Sequence, residues 1–330
     1  MQKAQRLLLL SMTVALLAST GCQRHSHSEV YYLISNNMKL AYWQTAVEGF
    51  NKAAAEYHVQ AKVVGPDTYD PQAELTELQH AIAAKPAGIL ISVADATMFQ
   101  SDINAGIDAG IPIITMDSDA PHSHRLFFIG TNNLEAGHLG GQRVISQLPG
   151  GKGNVVFFSM PGQPNLDERF KGYQDVFADH PGIKTVEVVD IKGESTAAFD
   201  KAQQYMAQTG DKKIDAFICL EASAGKEVAS VLKNDSAHRL LVAMDVDPDT
   251  LNLIRSGVIN ATIAQKPYTM AYIGLKALDQ VHHDGPKTFS SDYSVDTFSP
   301  FPVFVDTGTA VVDKVNVDLF SNAAATAQQK

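Results

Sequence analysis

From position 30 onward, short apolar runs alternate with amphipathic segments. Residues 30–35 form the first apolar run and read as a strand. After it, Trp43, Val47, Phe50, Ala54 and Tyr57 recur at three- and four-residue spacing, which makes one apolar face of a helix. A strand over 61–65, a helix over 72–84, a strand over 88–93, a helix over 98–109 and a strand over 111–116 follow. These strands are near-continuous apolar runs, as expected where both faces of a parallel sheet are covered. Strict strand–helix alternation predicts a doubly wound sheet. After Gly130 the alternation starts again. Helices are predicted over 133–147, 165–178, 197–208, 224–232 and 248–256, with strands over 154–159, 185–190, 216–220 and 240–244. The pattern thus predicts a second sheet of the same type. Gly150-Gly151-Lys152-Gly153 falls between a helix and a strand, so it reads as a turn and not as a phosphate cradle. No Walker sequence and no GxGxxG is present, and no cofactor is expected. The last ten residues, SNAAATAQQK, read as a frayed tail.

The 330 residues are enough for about two domains. With 45% apolar and 19% charged residues, the chain is not of disordered composition. A net charge of −10 excludes the basic footprint of a nucleic-acid binder. The two cysteines, Cys22 and Cys219, are too few for a disulfide framework or a cysteine-rich metal site. Cys219 lies in a predicted buried strand and reads as an inert core thiol. At the other end of the chain, Lys3 and Arg6 precede a mostly apolar run over 7–18 that is too short to span a bilayer comfortably. Ala18-Ser19-Thr20-Gly21-Cys22 then resembles a bacterial lipobox, with Ser19 where Leu is usual. Residues 1–21 are therefore expected to be a lipoprotein signal peptide and Cys22 the acylated residue. Its removal deletes two basic residues and no acid, leaving 24 basic against 36 acidic side chains. Residues 22–29 read as a polar tether. His25 and His27 are assigned to a solvated linker, and no metal site is expected.

In open α/β sheets, ligand groups collect at the carboxyl ends of the strands. Two such sheets facing each other would enclose a cleft. The polar residues at predicted strand ends are Asn36, Asn37, Asp95, Asp117, Glu221, Asp245 and Gln265. Several segments carry a family signature. They are GIPIITMDSDA (110–120), IGTNNLEAGHLGG (129–141), NLDERFKGY (165–173), LVAMDVDPDTLNLIRSG (241–257), INATIAQKPYTMAYIGLKAL (259–278) and FVDTGTAVVDKVNVD (304–318). In these the chain resembles the periplasmic sugar-binding proteins of ABC importers, of the ribose-binding type, whose core is shared with LacI-like repressors. The resemblance implies the type I periplasmic binding protein fold, with two doubly wound parallel-sheet lobes joined by a three-segment hinge. One lobe would comprise 30–130 plus 266–305, the other 131–265 plus 306–330.

The same resemblance assigns site residues. Asp117 and Asp245 correspond to the ligand carboxylates of the two lobes, and Gln265 to a hinge glutamine that contacts ligand. Asn36 sits in a ligand-contacting loop. Tyr42 and Trp43 fall where paired aromatics stack on the sugar, one ring being expected in the cleft and the other in the core. The chemistry suits a sugar, because a carboxylate accepts several hydroxyl donors at once and a flat ring covers the apolar C–H face. Three positions depart from the pattern. Ser118 and Asp167 stand where arginines are usual, and Glu221 replaces an asparagine. Arg169 matches a second, more structural arginine and is expected to pair with Glu168 inside one lobe. The predicted cleft therefore holds Asp117, Asp167, Glu221 and Asp245 with few cations, and such acids repel one another. A neutral monosaccharide or polyol with partial protonation of the acids, an amino sugar or aminocyclitol, or Ca²⁺ would each relieve this. Asp247 is the better cap for the helix after Asp245, and His282-His283-Asp284 reads as a helix C-terminus.

No HExxH, GxSxG or CxxC occurs, so no enzyme is expected. Residues 1–29 carry a signal rather than a helix-turn-helix, which excludes a repressor and a nucleic-acid partner. The expected protein is a monomeric, lipid-anchored sugar binder of the cell envelope or periplasm that delivers its ligand to the membrane subunits of an ABC permease. A sensing subunit for a chemoreceptor or histidine kinase would use the same cleft.

Overall fold

The computed structural model describes residues 24–289, 293 and 295–320. The signal segment, Cys22 and the tail over 321–330 lie outside the described residues. The first sheet is built from β1 (Val30–Ile34), β2 (Gln60–Val64), β3 (Gly88–Ile91), β4 (Ile113–Met116) and β5 (Phe128–Gly130). Helices α1 (Ala41–Tyr57), α2 (Pro71–Ala83) and α3 (Ala96–Asp108) connect them. The chain then builds a second layer from α4 (Asn133–Gln147), β6 (Gly153–Ser159), α5 (Pro164–Ala178), β7 (Ile183–Asp190), α6 (Ser195–Met206), β8 (Ala216–Cys219), α7 (Ala224–Leu232), β9 (Leu240–Met244), α8 (Pro248–Ser256) and β10 (Ala261–Ala264). Helix α9 (Pro267–Asp284) returns to the first sheet, and β11 (Phe304–Asp306) and β12 (Ala310–Asp313) close one sheet each.

Strand order is β2-β1-β3-β4-β5-β11 in one sheet and β7-β6-β8-β9-β10-β12 in the other. All pairings are parallel except that of β12 with β10. Both sheets reverse direction of strand addition beside their first strand, which is where such sheets bind ligands. The central strands β3, β4, β8 and β9 are buried along their whole length, as their unbroken apolar runs demand. Close helix approach depends on glycine. A Cβ on Gly49 of α1 would meet the Tyr268 carbonyl of α9, and Gly137 of α4 faces Gly172 of α5 in the same way.

Most boundaries fall within about two residues of those the pattern predicts, the scatter expected at element ends. Strand β4 starts at Ile113 rather than 111 because Ile111 N–H bonds to the Gly106 carbonyl and Pro112 has no N–H. Strand β5 has only three residues, too few for a periodic signal. Three crossovers join the layers, and they are tied to one another. Thr307 donates from both N–H and hydroxyl to the Gly130 carbonyl (2.9 and 3.1 Å). Thr309 Oγ1 donates to the Ala264 carbonyl at 2.8 Å, and Thr131 Oγ1 to Gln265 Oε1 at 2.9 Å.

The segment over 24–29 is not the solvated linker its polarity suggests. Arg24 pairs with Asp284, His25 with Asp279, and the His25 ring stacks on Tyr57 at 4.5 Å. Its polar side chains find partners at the ends of α9 and α1, which hold the segment against the protein.

Candidate ligand-binding cleft

The carboxyl ends of both sheets face one cleft. From the first sheet and its helices come Asn36, Asn37, Tyr42, Trp43, Tyr69 and Asp117; from the second come Gln163, Asn165, Arg169, Glu221, Asp245 and Gln265. Asp117 follows β4 and Asp245 follows β9, and both adopt left-handed backbone angles (φ 63° and 69°). Aspartate tolerates this region better than most residues, yet it is uncommon outside glycine. Finding it at the equivalent strand end of both sheets points to a constraint on where those two carboxylates lie.

Asp117 accepts from the Tyr42 hydroxyl (2.6 Å), from Ser92 Oγ (3.2 Å) and, across the cleft, from Asn165 Nδ2 (3.4 Å). Asp245 accepts from Gln265 Nε2 at 3.0 Å. Gln265 in turn accepts on Oε1 from Arg169 Nη2 at 2.7 Å. Arg169 also donates to Asn133 Oδ1 (2.9 Å) and to the Leu220 carbonyl (2.7 Å), so its planar fork spans the hinge, α4 and the end of β8. Glu221 accepts from the backbone N–H groups of Ser223 and Ala224 and so caps α7, while still lining the cleft.

Burial pushes the Asp117, Glu221 and Asp245 carboxyls upward, Asp245 to about 7, and the Arg169 guanidinium opposes the rise in all three. Burial, with Asp117 alongside, pushes the Tyr42 phenol up as well. Two further acceptors, Gln163 Oε1 and Asn165 Oδ1, are buried without a hydrogen-bond partner. The lining is thus rich in acceptors that are not yet satisfied.

Seven of the eight residues predicted to bind ligand meet in this cleft: Asn36, Tyr42, Trp43, Asp117, Glu221, Asp245 and Gln265. Asp167 does not. It is exposed at the start of α5 and accepts from the Gly162 N–H. Arg169, read as structural and as a partner of Glu168, instead lies in the cleft and bonds to Asn133, Leu220 and Gln265. The signal was present in the helix period. Leu166, Arg169, Tyr173 and Phe177 form the buried stripe of α5, whereas Asp167 and Glu168 fall outside it. Asn165, four residues before Arg169, shares that orientation and was also missed. Asp95 is an N-cap, accepting from Thr97 and Met98 N–H. Asp247 caps α8 as expected. Tyr42 and Trp43 do not divide between cleft and core. Both are buried, both line the cleft, and their rings meet at 85°. Perpendicular rings cannot both lie flat on one sugar face.

Two open α/β sheets, crossed three times by the chain and facing one cleft lined from both sides, define a two-lobed solute-binding protein. The chain belongs to the periplasmic binding protein family: the model described as "Periplasmic binding protein domain" matches residues 31–285. The family is one of solute-binding proteins of the cell envelope and not of enzymes. The chain is 23% identical over 270 residues to the xylose/arabinose-binding protein XylF of Sulfolobus acidocaldarius, covering 77% of this chain and 63% of that protein, less than two thirds of its length. It is 33% identical to the solved sugar-binding protein of a sugar ABC transporter from Bacillus halodurans, with a TM-score of 0.75 over 89% of this chain and 100% of that one. It is 30% identical to AraP, an arabinose-binding protein from Geobacillus stearothermophilus, with a TM-score of 0.72 over 89% and 99% of the two chains.

Proposed function

We propose that this protein captures a neutral monosaccharide or related polyol between its lobes and hands it, as a lipid-anchored monomer, to the membrane subunits of an ABC importer. The observation that carries the reading is the acceptor-rich lining. Three buried carboxylates and two unpartnered amide oxygens converge on one space beside Tyr42 and Trp43. A ring of hydroxyl donors satisfies such a set, and each charge-assisted bond contributes about 1.5–3 kcal/mol. The sugar-binding relatives support the same class of ligand. The case for an amine-bearing ligand rests on four acids with few cations. With Asp167 outside the cleft and Arg169 inside it, that imbalance is largely relieved. The lobe division over 30–130 plus 266–305 and 131–265 plus 306–330 is supported by sheet membership, since β11 joins the first sheet and β12 the second.

A thermal-shift screen over pentoses, hexoses, cyclitols and amino sugars tests the reading. A ligand at about 100 times its Kd adds about 2.7 kcal/mol to native stability. Neutral sugars should raise the midpoint, and a response confined to amino sugars would overturn the ligand class. Trp43 is the single tryptophan, and only 3% of it is exposed. Its emission should therefore change with the same sugars that raise the midpoint. A sugar that stabilises the protein with emission unchanged would be binding elsewhere.

The anchor is read from the residues before Cys22. Replacing Cys22 with Ser should move the exported protein from the membrane fraction to the soluble one. Retention in membranes would remove Cys22 as the lipidated residue.

A further inference from the structure

A second cluster of ligating side chains lies at the opposite edge of the first lobe, where β1 begins and α9 ends. His25, Asp279 and His283 present ring nitrogens and a carboxylate within 4.8 Å of one another. His25 Nε2 is 2.9 Å from Asp279 Oδ2, and His283 Nε2 is 3.5 Å from Asp279 Oδ1. The Glu29 carboxylate stands 3.2 Å from the same His283 nitrogen. Ligands of a tetrahedral ion at about 2.0–2.1 Å lie about 3.3 Å apart, and the two distances from the imidazoles to the Asp279 carboxylate bracket that value.

The supporting contacts orient these groups. Asp279 is 2% exposed and accepts from the Tyr31 hydroxyl at 3.1 Å. The His25 ring is clamped flat on Tyr57, 11° from parallel. The other Glu29 oxygen accepts from Ser26 N–H at 3.0 Å, which leaves Oε2 turned to His283. Buried carboxylates that hold imidazoles in place are the usual outer framework of metal sites.

We propose that His25, Asp279 and His283 bind a divalent transition-metal ion, Zn²⁺ being the one whose preference for imidazole and carboxylate ligands fits best. None of these residues lines the sugar cleft, so the site is independent of what the cleft binds. Its ligands come from both ends of the lobe's chain: His25 precedes β1, and Asp279 and His283 end α9. The ion therefore clasps the segment that follows Cys22 onto the body of the lobe. A tether fastened in this way leaves the body at a fixed place, on the edge remote from the cleft.

The test uses the full exported chain, stripped of metal by chelator and titrated with ZnCl₂ against a chromophoric competitor. One equivalent should bind with micromolar or tighter affinity. His25→Ala and His283→Ala should each weaken it by about tenfold or more, while His80→Ala, exposed on α2, should leave it unchanged. Zinc should also raise the thermal midpoint of the wild-type chain and not that of His25→Ala. Absence of binding in the micromolar range, or binding indifferent to both histidine substitutions, would reduce the cluster to an ion-pair network. Sugar-induced stabilisation should survive in the two histidine variants, so failure of the metal site and failure of the sugar site are read separately.

Discussion

Replacing Arg169 with Ala should lower the thermal midpoint by roughly 5–10 °C and abolish sugar-induced stabilisation. The guanidinium is buried and donates to Asn133, to the Leu220 carbonyl and to Gln265. Its loss removes a donor from each of those acceptors, leaving Gln265 Oε1 with Thr131 alone, and removes the cation that opposes the rise of three buried carboxyls. Breaking a buried charge set by deleting one member costs about 3–5 kcal/mol, because the remaining charges stay desolvated. Binding fails for a second reason. Gln265 loses a donor that orients it, and Gln265 holds Asp245. Arg169→Lys should recover part of the stability, since the charge returns, and little of the binding, since one ammonium cannot serve three diverging acceptors. A midpoint within about 2 °C of wild type with sugar binding intact would show that Arg169 holds neither the hinge nor the acids.

Asp245→Asn should have the opposite effect on the unliganded protein. Burial raises the Asp245 carboxyl from 3.8 to about 7 in the folded chain. The native state thus holds this proton more tightly than the unfolded state. Ionising it costs stability progressively from about pH 4 to about pH 7, and the cost is constant above that. The asparagine carries no such cost. Relative to wild type it should gain stability as pH rises through this window, read as midpoints at about pH 5 and about pH 8. Sugar binding should move the other way. A hydroxyl donates more strongly to the ionised carboxylate than to the protonated acid or an amide, so wild-type affinity should increase as pH rises through about 7, and Asp245→Asn should bind at least about tenfold more weakly at pH 8. Calorimetry with the sugar that the screen identifies reads both. The same pH dependence in the two proteins would show that Asp245 is not the titrating group.

Arg169 and Asp167 mark where sequence reading reached its limit. The resemblance aligned the ligand arginine with Asp167, one turn-fraction from the residue that occupies the cleft. The period of α5 would have corrected it, because Arg169 shares the apolar stripe of Leu166 and Tyr173 while Asp167 does not. For Tyr42 and Trp43, periodicity could identify a buried helix start but not the 85° angle between the rings. That angle follows from packing against α9 and Asp117, both distant in the chain.

The sequence by itself determined the alternation of strands and helices, and with it the strand ends where Asp117, Glu221, Asp245 and Gln265 lie. These features depend on unbroken apolar runs for the strands and a 3.6-residue period for the helices, both of which are local in the chain. Tertiary structure alone decided which groups face one another across the cleft and which pair at a distance. Asn165 reaches Asp117 from the other lobe, 48 positions away. His25 meets Asp279 across 254 positions, so a stretch that reads as a solvated tether is held against the lobe. Contacts of this kind are set by how layers pack, and no local pattern carries that distance.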